Sequence, residues 1–91
     1  MNITSLSTFN PANGEKLHDY PIHSDRQIAS ILAASHQSFL AWRKSSWKER
    51  ESFLFALSDQ LTSNKQHLAE LIRLEMGKLE QEALSEIEKC A

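Results

Sequence analysis

The chain has 91 residues, 41% of them apolar and 24% charged, with a formal net charge of −2. That is globular rather than disordered composition, at a length sufficient for one small domain and no more. A mildly acidic chain has no attraction for polyphosphate, so a nucleic-acid partner is not expected. Its unbroken apolar runs, such as Ile31 to Ala34, are far too short to span a bilayer, so no membrane partner is expected either.

The opening residues, Met1 to Ser5, lack the basic cluster and following apolar stretch of a secretory signal. The single cysteine, Cys90, permits no intrachain disulfide, which suits a reducing compartment. A cytoplasmic protein is the expectation.

Ser5 to Phe9 and Lys16 to Ile22 are short mixed segments separated by Asn10-Pro11-Ala12-Asn13-Gly14. Proline presets φ for a turn and Asn13-Gly14 accepts positive φ, so the pattern predicts a small β-hairpin. Pro21 has no N–H to donate, which places the second strand at an edge or ends it there. This hairpin region covers residues 1–23, and a helical segment is predicted over 24–91.

Ser24 and Gln27 have capping-box spacing, and Ile28, Ile31, Leu32, Ser35, Phe39 and Trp42 then recur on one helical face. This helix should end near Ser45. Ser46 and Glu49 repeat the box, followed by a stripe of Phe53, Leu54, Leu57 and Leu61. Thr62-Ser63-Asn64 are poor helix formers and interrupt the stripe. Ser63 and Gln66 have the spacing of a third box, ahead of Leu68, Leu71, Ile72 and Met76. The pattern favours two helices with a tight junction over one bent helix. Gly77 stands where a left-handed C-terminal cap is expected. A last stripe of Leu79, Ala83, Ile87, Cys90 and Ala91 meets no glycine, proline or polar stop, so a pattern that continues past Ala91 is expected. The fold class is mostly α: a short N-terminal hairpin and three to four amphipathic helices.

No constellation with catalytic chemistry stands out. Cys90 is at the C-terminal end of a helix, where the dipole disfavours a thiolate, and the plainer reading is a small core residue. His18, His23, His36 and His67 offer no i, i+4 pair on one helix and read as surface residues. Glu75, Glu80, Glu82, Glu86 and Glu88 read as a solvated face, with Glu86 and Lys89 as an i, i+3 pair. Trp42 and Trp47 beside Arg43, Lys44 and Lys48 could suggest single-strand binding, but the patch is short and packing explains it better. Glu75-Met76-Gly77-Lys78 lacks the second glycine and the Ser or Thr of a phosphate loop.

Taken together, the segments resemble the N-terminus of the aldehyde dehydrogenase superfamily from about Phe9 onward. Asn10-Pro11 with Gly14-Glu15 comes first, then Phe39 with Trp42-Arg43, Ser46 with Glu49-Arg50, Leu71-Ile72 with Glu75-Met76-Gly77-Lys78, and Glu82-Ala83 with Glu86. The Glu-Met-Gly-Lys version and Glu88-Lys89-Cys90-Ala91 look most like bacterial succinate-semialdehyde dehydrogenases. Leu79 departs from the pattern, because many members carry proline after the Gly-Lys pair, preorganised for the next helix.

The resemblance implies an NAD(P)-dependent enzyme with a Rossmann-like cofactor domain, a catalytic domain and an oligomerisation hairpin. In it a cysteine thiolate attacks the aldehyde, hydride passes to the nicotinamide, and a glutamate-activated water releases the acid. In the family those groups lie downstream of these helices. The resemblance therefore assigns this chain no catalytic, cofactor-binding or metal residue, and Cys90 does not match the nucleophile. The chain would be a scaffold fragment whose partner is the remainder of the enzyme, with NAD or NADP bound there.

Two readings compete. A fragment exposes stripes meant for absent protein and tends to self-associate through them. A free-standing helical interaction module buries its stripes against one another.

Overall fold

Two serines set the helical half of the molecule. In the computed structural model, which describes residues 3–91, Ser24 and Ser46 are both N-caps in extended conformation. Ser24 Oγ accepts from the Gln27 N–H at 3.2 Å while Gln27 Oε1 accepts from the Ser24 N–H at 2.7 Å. Ser46 and Glu49 exchange the same pair of bonds at 3.1 and 3.0 Å. Each box satisfies two N–H groups that a helix start otherwise leaves open. The helices they open are α1, Asp25–Trp42, and α2, Trp47–Ser63. Beyond Trp42 the backbone tightens into a turn through Ser45, whose N–H donates to Trp42 O. Of the opening segment, Met1 and Asn2 lie outside the described residues.

The expected hairpin forms from β1, Ser5–Phe9, and β2, Lys16–Pro21, paired antiparallel. The register shifts between Thr8 and Phe9, so that Phe9 faces Lys16. Regular strand ends at Pro21, although the Ile22 N–H still reaches Thr4 O at 3.0 Å. Asn10 organises the turn. Its backbone bonds Glu15 O and receives Gly14 N–H, and its Oδ1 accepts from Ala12 N–H at 2.9 Å. These bonds explain why an asparagine can be buried here.

The third expected capping box does not form. Ser63 is the last residue of α2, and Asn64 alone separates it from α3, Lys65–Met76. A box needs an extended N-cap, but the backbone is still helical at Ser63. The Asn64 side chain instead turns back to Gln60 O at 2.8 Å. The two-helix reading with a tight junction is nevertheless what is observed. Gly77 closes α3 in the left-handed region at φ 70, and its N–H donates to Arg73 O. A Cβ built there would lie 3.0 Å from Pro11 Cγ, so glycine also admits the hairpin turn. Leu79 then caps α4, Glu80–Cys90, as its N-cap and not its first helical residue. Its φ of −68 is one that proline would share.

Among the described residues the buried apolar ones are Ala69, Ala83 and Ile87, all on α3 and α4, which pack on each other. Two ion pairs clasp these elements: Lys78–Glu86 at 2.7 Å and Lys65–Glu88 at 3.1 Å. Glu86 thus meets Lys78 rather than Lys89, because α4 folds back on α3 and brings the ammonium into range. Cys90, expected in the core, is exposed. The buried face of α4 narrows to Ala83 and Ile87, while its last turn lies beside the start of α3 and reaches α2, where Ser58 Oγ donates to Ala91 O at 2.7 Å.

Neither α1 nor α2 contributes a buried residue. The molecule is a plate with principal extents of 47 × 41 × 14 Å. Its radius of gyration is 17.8 Å, against about 12 Å for a compact chain of this length. It exposes 7825 Å², where a compact monomer of 10.4 kDa exposes roughly 5,400 Å².

Candidate functional site

The most organised site in the chain is the corner between α1 and α2, and Arg50 builds it. One turn after Trp47, its guanidinium lies 5.6 Å from the centroid of Trp42 and 5.4 Å from that of Trp47. Nε donates to Ser45 Oγ at 2.9 Å, and Nη2 to the carbonyls of Trp42 and Arg43, each at 3.2 Å. Ser45 Oγ in turn donates to Trp42 O at 2.6 Å. The cation thereby caps the carbonyl end of α1, where positive charge is favoured, while two indole faces cover it.

Trp42 also meets Phe53, with ring centroids 5.3 Å apart. The apolar stripes of α1 and α2 therefore meet around the corner and run on as one surface. Trp42, Trp47, Phe53, Leu54 and Leu57 line a largely apolar groove of about 390 Å³ there. Along α1, Ile28, Ile31, Leu32 and Phe39 are exposed as well, with Leu32 at 65%, and Trp47 at the start of α2 is exposed at 83%. Packing against the rest of the chain was the expected role of Trp42 and Trp47. Trp42 does pack on Phe53 and Arg50, yet both indoles stay exposed.

The other residues considered from sequence do not converge. His18, His23, His36 and His67 are all exposed. His18 lies against Tyr20 at 4.5 Å, and His36 lies 6.3 Å from Phe39. Among the described residues no group of three His, Cys, Asp or Glu is placed to hold a metal ion. On the hairpin, Asp19 accepts from Ser7 Oγ and pairs with Lys16 at 2.6 Å. Lys16 first and Ser7 second hold its carboxyl below the ordinary range. Arg73 does the same to Glu70, and Glu86 raises the Lys78 ammonium above its ordinary value. Each is an exposed pair that tethers local structure.

The role of Arg50 escaped the sequence reading, which weighed Arg43, Lys44 and Lys48 beside the tryptophans. Its signal is the Trp47-x-x-Arg50 spacing directly after a capping box, which returns the guanidinium over the preceding helix end. The residues that carry the family resemblance sit at these same points. Asn10 and Gly14 shape the hairpin turn, Trp42, Ser46, Glu49 and Arg50 shape the corner, and Gly77 ends α3.

A sequence profile of the aldehyde dehydrogenase family matches residues 2–91. The chain belongs to the aldehyde dehydrogenase family. Its curated relatives include a malonate-semialdehyde dehydrogenase 2 of Shouchella clausii, 32% identical over 88% of this chain and 16% of the relative. A succinate-semialdehyde dehydrogenase [NADP(+)] 1 of Mycobacterium tuberculosis is 31% identical over 94% of this chain and 19% of its own length. The mitochondrial succinate-semialdehyde dehydrogenase of Oryza sativa subsp. japonica is 36% identical over 91% and 16% respectively. The chain thus spans less than a fifth of the length of these relatives. Among the described residues no helix is long and apolar enough to cross a membrane.

Proposed function

We propose that this chain is the N-terminal scaffold of an NAD(P)-dependent semialdehyde dehydrogenase, of succinate-semialdehyde type, working in the cytoplasm. The hairpin and helices do not form a complete domain. Their apolar faces are the surface on which the remainder of the enzyme, with its cofactor and reactive cysteine, packs. The chain is inactive alone and holds neither NAD nor NADP.

The observation that carries this reading is the continuous exposed stripe of α1 and α2, two long helices with no buried residue. An amphipathic helix is stable when its apolar stripe is covered, and the plate leaves most of both stripes uncovered. A free-standing module would place those stripes against each other. The succinate assignment is supported by the Glu75-Met76-Gly77-Lys78 version of the motif and by the two relatives that are succinate-semialdehyde dehydrogenases.

The test is complementation. A relative's polypeptide without its first ninety or so residues is mixed with this chain, and NAD and NADP reduction are followed with succinate semialdehyde and malonate semialdehyde. Activity that requires both pieces upholds the scaffold reading. No recovery, with both pieces soluble and helical, refutes it. A preference for malonate semialdehyde refutes the succinate assignment alone only where the chain's own parent supplies the second piece.

A further inference from the structure

We infer that in the parent polypeptide α4 continues past Ala91 as about three more helical turns, laid antiparallel on the first half of α2. The inference rests on the scaffold reading, in which most of the polypeptide lies downstream of this chain. It adds which downstream segment covers which part of the open surface.

α2 carries a seam for one neighbouring helix. Trp47, Glu51, Leu54, Ser58 and Leu61 follow one another at alternating steps of four and three, the spacing of the strip along which two helices meet. The two halves of that strip differ. α4 packs on α2 as well as on α3, and in the second half of the strip Ser58 and Leu61 are half-buried. In the first half Leu54 is 66% exposed and Trp47 is bare. The change falls where α4 stops, at the bond from Ser58 Oγ to Ala91 O.

The direction of α4 follows from its partners. Glu88 pairs with Lys65, and Ala91, further along α4, meets Ser58, which comes earlier in the chain. α4 therefore advances as α2 is read backwards, and its next turn comes opposite Leu54. A hollow of about 270 Å³ lies on that path, lined by Glu51, Leu54, Phe55, Ser58 and Ala91 itself. Glu51 and Leu54 also line the corner groove, so the path runs unbroken from Ala91 to Trp47. From Ser58 back to Trp47 is about 16 Å of helix, which a continuation of about eleven residues matches.

The backbone at Ala91 is already set for this. Its N–H donates to Ile87 O at 3.0 Å, the bond of an α-helix that has not yet turned away. Ile87 is buried, and Ala91 lies on the same face one turn on. That face recurs at the third, fourth and seventh residues after Ala91, and the seam requires apolar side chains there.

The first test is the coding sequence beyond Ala91, which needs no folded piece. The expected reading is about eleven residues free of proline and glycine, apolar at the third, fourth and seventh. A stop codon directly after Ala91, a proline or glycine in that stretch, or charge at two of those three positions overturns the inference. The second test uses the full polypeptide so read, carrying Cys90→Ala, Leu54→Cys and a cysteine at the fourth residue after Ala91. On mild oxidation peptide mass spectrometry should find these two cysteines linked, because a disulfide needs Cβ atoms about 4 Å apart and the register sets the two positions opposite each other. A cysteine at the sixth residue instead, on the far side of the helix, should not link. Linkage at both positions, or at neither, overturns the inference. Hydrogen exchange of the unmodified full polypeptide decides the matter if the cysteines disturb folding: amides of the residues after Ala91 should be protected as those of α4 are, and exchange as fast as in a loop overturns it. The two readings fail separately. A full polypeptide that oxidises semialdehydes but has no helix here keeps the scaffold and ends the continuation. A linked helix in a polypeptide that reduces neither NAD nor NADP does the reverse.

Discussion

Replacing Arg50 with alanine removes the hydrogen bonds and cation–π contacts that tie the start of α2 to the end of α1, and leaves the Trp42–Phe53 ring contact in place. The lost contacts are one hydrogen bond to Ser45 Oγ, a shared bond to two carbonyls, and two indole faces. A hydrogen bond from a charged donor contributes about 1.5–3 kcal/mol, and an exposed cation–π contact about 0.5–1 kcal/mol. Arg50 is only half-buried, and water can replace it at the carbonyls, so the low end applies. The expected loss is about 2–3 kcal/mol, a shift of roughly 30- to 150-fold between the closed and open corner. Arg50→Lys keeps the charge but not the planar fork, and should recover about 1 kcal/mol of this. The two tryptophans are the only ones in the chain and both touch Arg50, so in the isolated chain their signals follow the corner. Urea titration followed by tryptophan emission, with near-UV circular dichroism, is the assay. The alanine variant should open at lower urea and lose near-UV signal while far-UV helicity persists. An opening free energy within about 0.5 kcal/mol of the parent's, the ordinary effect of a neutral surface change, would refute the clamp.

Gly77→Ala should destabilise the chain by more than Gly14→Ala, as read from thermal melts. Both positions have positive φ, which costs a non-glycine residue roughly 1–2 kcal/mol, but only at Gly77 does the new Cβ crowd Pro11. Equal losses would dismiss the contact between hairpin turn and helix end. The folded Asp19 carboxyl titrates below its unfolded value, so its tether is complete above about pH 4 and fades as pH falls through the folded value. Hairpin amide protection should therefore hold from neutral pH to that point and then decline, a decline absent in Asp19→Asn. Lys78 has the opposite sign: its pairing with Glu86 is complete below about pH 10.4 and is lost as pH rises beyond. Far-UV circular dichroism above that pH should separate the parent from Glu86→Gln less than it does at pH 8. The purified chain should reduce neither NAD nor NADP with an aldehyde, and turnover abolished by Cys90→Ala would overturn the reading of that thiol as non-catalytic.

What could be read from sequence depended on how far apart the interacting groups lie along the chain. The boxes at Ser24 and Ser46 and the glycine stop at Gly77 are contacts across three or four residues, so spacing alone reveals them. The supposed box at Ser63 failed because the same spacing has no meaning inside a helix that has not yet ended. Arg50 reaches eight residues back to Trp42, and Lys78 eight forward to Glu86. In both cases a turn in the chain selects the partner, and for Glu86 the shorter-range Lys89 looked equally good beforehand. Asn10 presents as a turn residue, but its burial comes from the turn lying against the end of α3.

Element order, the starts of α1 and α2, and family membership follow from the sequence by itself, since each is encoded in local hydrogen-bonding chemistry or in residue identities. Periodicity also marks every apolar stripe, yet it says nothing of which stripes find cover. Only the tertiary structure decides that: α3 and α4 bury Ala69, Ala83 and Ile87 between them, while the stripes of α1 and α2 stay open to water. The physical reason is that apolar burial is non-directional and is satisfied by any complementary surface, so the partner is set by the path of the whole chain.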